Sequence, residues 1–165
     1  LKLRHALLLI ATVCLAAVGG ALISQYVFDM PPCAWCVMQR LIYLIIAALA
    51  LLGALLDSLM PERATRITLA ACLLLAIAGV TAAWYQHNVA AQSFSCDMTF
   101  ADRFMTASGL EAALPFLFGI YASCMDAAVT VLGVEYAIWS LMLFVLLALL
   151  AVKGVFSGLQ AKASR

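Results

Sequence analysis

Charge is scarce in this sequence. Only 10% of its 165 residues are Asp, Glu, Lys or Arg, while 67% are hydrophobic, and that balance excludes the solvated surface of an ordinary soluble domain. The formal net charge is +1 and the basic residues are scattered, so there is no stripe to follow a nucleic acid backbone. A glycine-rich phosphate loop is also lacking, as are internal repeats and low-complexity tracts. What remains is an integral membrane protein.

Long apolar runs are what the chain has in abundance. The first extends over about 6–28, behind Lys2 and Arg4, and is long enough to cross hydrocarbon as a helix of roughly 20 residues. A signal peptide would also start basic and carry small residues such as Ala16 to Gly20, but its apolar core is shorter, roughly 7–15 residues. The second run, 37–56, has neither proline nor acid inside it and closes at Asp57 to Arg63. The third, 67–85, ends in Trp84 and Tyr85, side chains suited to the membrane interface. The short connection between them makes an antiparallel hairpin, so the chain leaves the third span on the side where the second began. The last span is 136–152, with Lys153 placed to snorkel.

These runs predict an all-α, four-helix polytopic bundle forming a single membrane domain over 1–165, with outer loops at 29–36 and 86–135. Within the second loop, Leu110 to Tyr121 is apolar but too short to cross and is interrupted by Pro115. It is expected to lie on the interface, or to cap the loop. Gly19, Gly20, Gly53 and Gly79 fall inside spans, where small residues permit close helix approach. Orientation follows the Lys and Arg bias. Lys2, Arg4, Arg63, Arg66, Lys153, Lys162 and Arg165 fall on one side; Arg40 and Arg103 fall on the other. Both termini are therefore expected in the cytoplasm and the long loop outside.

Six cysteines divide by position. Cys14 and Cys72 lie within apolar runs and read as packing thiols. Cys33, Cys36, Cys96 and Cys124 lie outside or at the edges of the spans, an even set suited to two disulfides in an oxidising compartment. Four cysteines allow three pairings.

The densest chemistry is in Pro31-Pro32-Cys33-Ala34-Trp35-Cys36-Val37-Met38-Gln39-Arg40. The prolines favour an extended approach, after which a helix can begin around Cys36. Cys36, Gln39 and Arg40 then share one face, since residues three and four apart stack on a helix. A Cys-x-x-Cys pair serves both metal and redox sites, and zinc would be completed by Cys96, Cys124 or His87. Arg40 opposes a divalent cation but suits a single thiolate, so redox chemistry is preferred over zinc and over purely structural disulfides. A helix N-terminus and an arginine one turn on both favour the thiolate at Cys36. Arg40 is also costly at the edge of hydrocarbon, which asks for a partner that becomes negative, although a snorkelling arginine would merely set helix depth. Two dithiols on one side of a membrane can pass electrons by thiol–disulfide exchange. Because no nucleotide-binding pattern is visible and the pair opens onto lipid, a membrane-soluble quinone is the acceptor expected by exclusion. Tyr26, Phe28, Trp35 and Tyr43 are candidates to line its pocket, or to anchor and pack at span ends.

Pro-Cys-Ala-Trp-Cys-Val-Met-Gln-Arg at 32–40, followed by an apolar hairpin and then by Cys96-Asp97 and Cys124 in a long outer loop, resembles the DsbB family of bacterial inner-membrane quinone-dependent disulfide oxidases. The resemblance implies a protein dithiol:quinone oxidoreductase that accepts electrons from a reduced DsbA-type thioredoxin-fold protein in the periplasm. It implies Cys33 and Cys36 as the quinone-linked pair, Cys96 and Cys124 as the partner-facing pair, Arg40 as the quinone-assisting arginine, ubiquinone or menaquinone as cofactor, and no metal. In the implied sequence the partner attacks Cys96, Cys124 is released to engage Cys33, and Cys36 is left as a thiolate. His87, in Tyr85-Gln86-His87-Asn88, resembles a histidine that follows the third span in the family, and reads as a solvated or capping histidine or as a proton carrier. Gly133-Val134-Glu135-Tyr136 resembles the family approach to the fourth span, where Glu135 marks the interface. A related oxidoreductase with a specialised partner is the nearest alternative. A tetraspanin-like organising protein is a more distant one, and its double-cysteine-glycine signature is missing.

Overall fold

The computed structural model describes residues 3–57, 59, 62–92 and 98–163. Four helices among them are long and apolar enough to cross a membrane. These are α1 (Leu3–Tyr26), α2 (Ala34–Leu56), α3 (Glu62–Asn88) and, at the end of the chain, α7 (Tyr136–Ala163). Among the described residues, the connection from α3 to α7 carries a 3-10 turn (Ala90–Gln92), three short α-helices, α4 (Phe100–Ser108), α5 (Leu110–Ala113) and α6 (Pro115–Phe118), and a small hairpin of β1 (Thr130–Val131) and β2 (Val134–Glu135). The all-α, four-span expectation is met, with that hairpin as its one departure.

Glycine contacts show that the four long helices alternate in direction. A Cβ at Gly53, late in α2, would meet Leu7 near the start of α1 and Thr68 near the start of α3. One at Gly154, late in α7, would meet Leu69 and Ala6. Arg4, Arg63, Arg66 and Lys153 therefore gather at one end of the bundle, and Arg40 lies at the other. Lys2 and Arg165 lie outside the described residues. Thr65, buried at the α2–α3 turn, donates to Asp57 Oδ1 at 3.0 Å, and Arg66 pairs with Glu62 one turn away.

The bundle core is built on Leu7, Ile10, Cys14, Ile46, Leu69, Cys72, Phe144 and Leu147, all fully buried, so Cys14 and Cys72 do pack as small apolar side chains. The glycines divide. A Cβ at Gly79 would overlap the Phe144 ring, so this position is where α7 closes on α3; Phe144 in turn stacks on Tyr43 with ring centroids 4.0 Å apart. Gly19 and Gly20 contact nothing within 4 Å of an added Cβ, contrary to the expectation of close helix approach there. Gly20 instead leaves space, which becomes part of a cavity.

A second cluster sits on the Arg40 end, where Cys33, Val37 and Met38 pack with Ala101 and Met105 of α4 and with Phe118. Thr99 caps α4 through a reciprocal bond with Asp102, and Gly109 ends it at φ 70°, a left-handed conformation that glycine takes without steric cost. Leu110 to Tyr121 does not form one continuous helix: Pro115 starts a new turn as the first residue of α6. Phe118 is buried beneath the cluster while Leu114 and Phe116 are exposed, so the segment caps the bundle with one part and leaves the other outward. The β1–β2 turn has positive φ at both Leu132 and Gly133, the two-residue geometry that matches strand twist.

Candidate functional site

Cys33 ends the extended Pro31-Pro32 approach as the N-cap of α2, with φ −88° and ψ 171°. The helix therefore starts at Ala34, two residues before the onset expected at Cys36, because the extended conformation ends at the residue after the prolines rather than continuing through the pair. Cys36 falls in the first turn, among backbone N–H groups that have no intrahelical acceptor. Its Sγ is 3.3 Å from Cys33 Sγ.

The distant Cys124 is brought to the same place by backbone bonds. The N–H groups of Tyr121 and Ala122 both donate to the Pro32 carbonyl, at 3.0 and 3.3 Å. That clasp carries the following turn across the head of α2, and Cys124 Sγ lies 2.9 Å from Cys33 Sγ. Cys33 is fully buried between two half-buried sulfurs. Sulfur contacts with Cys124, then with Cys36, and then burial hold the Cys33 thiol well above its ordinary pKa. Cys96, assigned to the same chemistry from sequence, lies outside the described residues.

Arg40, one turn after Cys36, does not snorkel. It is 5% exposed, and its Nη1 donates to Gln25 Oε1 at 2.6 Å and to the Leu117 carbonyl at 3.3 Å, while Nη2 reaches the Ala21 carbonyl at 3.4 Å. Those neutral acceptors hold the guanidinium without cancelling its charge. Gln39 Nε2 donates to Gln86 Oε1 at 2.6 Å, and Gln86 Nε2 donates to Cys36 Sγ at 3.1 Å. Polar residues from α1, α2 and α3 thus converge beside one sulfur.

A cavity of about 570 Å³ opens beside them. Its polar end is formed by Cys36, Gln39, Arg40 and Gln86, and its walls by small residues of α1, including Ala16, Ala17 and Gly20, facing Tyr136, Ser140, Leu143 and Leu146 of α7. Tyr136 Oη and Ser24 Oγ meet at 3.4 Å between those walls. Of the four aromatics expected to line a pocket, only Tyr43 does. Trp35 is buried against Tyr85, Tyr26 stacks on Phe116 and donates to its carbonyl at 2.7 Å, and Phe28 is exposed. Helix rotation decides this, because aromatics at a span end can face lipid or loop as readily as the interior.

Spacing places Gln39 on the face of Cys36 and Arg40 but does not single out Gln25 or Gln86. The available signal was an amide in the last turn of an otherwise apolar span, an expensive placement that asks for a partner. His87 is neither free nor part of the cavity lining: its Nδ1 is 2.7 Å from Glu135 Oε2, tying the end of α3 to the start of α7.

The family described as "DsbB: Disulfide bond formation protein DsbB" matches residues 3–154. The chain is 32% identical to disulfide bond formation protein B 1 of Pseudomonas fluorescens, over 92% of this chain and 89% of the relative. It is 34% identical to disulfide bond formation protein B of Burkholderia pseudomallei, over 88% and 85%. With disulfide bond formation protein B 1 of Pseudomonas putida the identity is 32%, over 93% and 90%. A four-span bundle with sulfurs and an arginine gathered at one end, matched along nearly its whole length, therefore belongs to the DsbB family of quinone-dependent, polytopic bacterial inner-membrane proteins that act in disulfide bond formation.

Proposed function

We propose that this chain is a protein dithiol:quinone oxidoreductase that reoxidises a reduced DsbA-type thioredoxin-fold protein on the periplasmic side. The observation that carries the reading is the position of Cys33, within 3.3 Å of Cys36 Sγ on one side and 2.9 Å of Cys124 Sγ on the other. A sulfur so placed can exchange with either neighbour without rearrangement of the helix that caps on it. Orientation supports the same side for all of this chemistry: Arg40 and the cluster around Cys33 lie at the end opposite Arg4, Arg63, Arg66 and Lys153.

The exchange begins with Cys96–Cys124 and Cys33–Cys36 as disulfides. A partner thiolate attacks Cys96 Sγ, forms a mixed disulfide and expels Cys124 as a thiolate. Cys124 attacks Cys33, forming Cys33–Cys124 and expelling Cys36 as a thiolate. The partner's second thiol, losing its proton, attacks the mixed disulfide; the partner leaves as a disulfide and Cys96 as a thiolate. Cys96 then attacks Cys124, restoring Cys96–Cys124 and freeing Cys33. Two electrons have now passed to the Cys33 and Cys36 pair, and the protons released by the partner's two thiols have gone to the surrounding water or to Cys33, with Cys36 left as the thiolate.

The cavity suits an amphipathic acceptor. One end has amide and guanidinium donors, the other apolar walls, and its length follows α1 and α7 from Ser24 and Tyr136 towards Val13 and Leu146. Ubiquinone or menaquinone bound there supplies a two-electron, two-proton acceptor. Arg40 presents positive charge to an oxygen gaining electron density, and Cys36 and Cys33 return to a disulfide as they give up two electrons.

Purified protein mixed with a reduced thioredoxin-fold dithiol and a short-chain quinone should yield one partner disulfide per quinol. Cys36→Ser should abolish quinol formation. Absence of quinone consumption by the intact, folded protein rejects the proposal.

A further inference from the structure

Gln39 and Gln86 are the most deeply buried uncharged polar side chains beside the sulfurs, at 4% and 3% exposure, and they are bonded to each other. Two amides withdrawn from water beside hydrocarbon cost free energy that one mutual bond only partly returns. Their arrangement has a direction. Gln39 Nε2 uses the carbonyl oxygen of Gln86, which turns the other end of the Gln86 amide, its NH₂, onto Cys36 Sγ at 3.1 Å. An N–H so aimed stabilises negative charge on sulfur and offers no acceptor to an S–H.

We infer that Gln86 is a functional donor to the Cys36 thiolate and that Gln39 is the positioning residue that fixes its polarity, a two-amide relay from α2 through α3 and back. This rests on the reading of Cys36 as the sulfur that meets the acceptor. The roles divide between two kinds of donor. Arg40 is occupied by Gln25 and two backbone carbonyls and supplies charge, whereas the Gln86 amide supplies the directed bond. Gln39 sits three residues after Cys36 on the same helical face, so it orients Gln86 without displacing the sulfur. The partner in this relay comes from another span, which makes thiolate stabilisation at Cys36 depend on how α2 and α3 pack.

The test uses the full chain, fully reduced and free of quinone, with alkylation of each cysteine by N-ethylmaleimide followed by mass spectrometry. Gln86→Met keeps approximate length and removes the amide. It should slow alkylation of Cys36 about tenfold, the size of effect expected for one lost hydrogen bond to an ionised group, and leave Cys124 unaffected. In turnover it should lower kcat by a similar factor with the quinone KM changed by less than about threefold. Gln39→Met should give a smaller loss of the same kind, and the double variant should be no slower than Gln86→Met, because the two residues act as a unit. Alkylation of Cys36 at the unsubstituted rate in Gln86→Met, or losses that multiply in the double variant, would overturn the relay. If Gln86→Met does not fold, Gln39→Met decides alone: an unchanged Cys36 rate overturns it and a reduced rate supports it. Persistence of turnover in Cys36→Ser is a different failure, and it removes the functional reading itself.

Discussion

The backbone N–H of Tyr121 donates to the carbonyl of Pro32 at 3.0 Å, and through that bond the second outer loop is fastened to the residue just before the dithiol motif. Ala122 shares the acceptor at 3.3 Å. With Cys124 two residues further on, the clasp determines how often Cys124 stands within reach of Cys33.

Ala122→Pro removes one of the two N–H donors to that clasp while leaving every cysteine in place. It should slow formation of the Cys33–Cys124 disulfide about tenfold, the equivalent of one net hydrogen bond at the upper end of the usual range. The measurement is oxidant-driven crosslinking in a Cys36→Ser, Cys96→Ser background, resolved by thiol trapping and electrophoresis. An unchanged rate would mean that other contacts hold the loop.

Arg40→Ala should raise the quinone KM by about tenfold or more, because a charged donor beside the acceptor is lost. Arg40→Lys should recover only part of this, since one ammonium cannot make the forked contacts to Gln25, Leu117 and Ala21. Turnover across quinone concentrations checks both, with a thermal melt to establish that the bundle is retained. Full recovery by lysine would mean that the contacts to Gln25, Leu117 and Ala21 are not needed to place that charge.

Two glycines of the spans should behave oppositely. Gly79→Ala drives a methyl into the buried Phe144 ring and should destabilise the bundle by about 1–3 kcal/mol, the usual cost of overpacking. Gly20→Leu enters space where an added Cβ meets nothing within 4 Å, so it should leave the melting temperature nearly unchanged while raising the quinone KM. Detergent-phase melts and saturation kinetics on the same preparations separate the two outcomes. A large stability loss in Gly20→Leu would contradict the open groove.

The reduced protein should lose stability in alkali. Cys33 holds its proton more tightly when folded than the ordinary cysteine value of 9.0, because of its sulfur neighbours and its burial. Between that value and the higher folded one, the unfolded chain has released a proton that the folded chain keeps, so stability present below pH 9.0 falls as pH rises. Reversible unfolding of the reduced chain at a series of pH values should show this decline, and Cys33→Ser should flatten it. Stability that rises over the same interval would reverse the sign.

Much of this is legible in the amino-acid order alone, and particular residues show why. The four spans could be read because crossing hydrocarbon requires a run of apolar residues whose length is set by bilayer thickness and helical rise, both of which are local. Cys36, Gln39 and Arg40 could be placed on one face because their spacing alone sets that. Tyr26, Phe28 and Trp35 could not be placed: nothing in a span-end aromatic says which way its helix is turned. Gly20 and Gly79 look alike in sequence, yet one leaves a cavity and the other receives a phenyl ring.

That the chain folds as apolar helices, with Cys36 and Arg40 on one helix face, follows from hydrophobic length and residue spacing, which act within a single segment. That Gln86 faces Cys36, that Gln25 holds Arg40, and that Cys124 returns to Cys33 follows from helix packing instead. Those partners come from different elements, and which of them meet depends on the rotation and depth at which the helices pack.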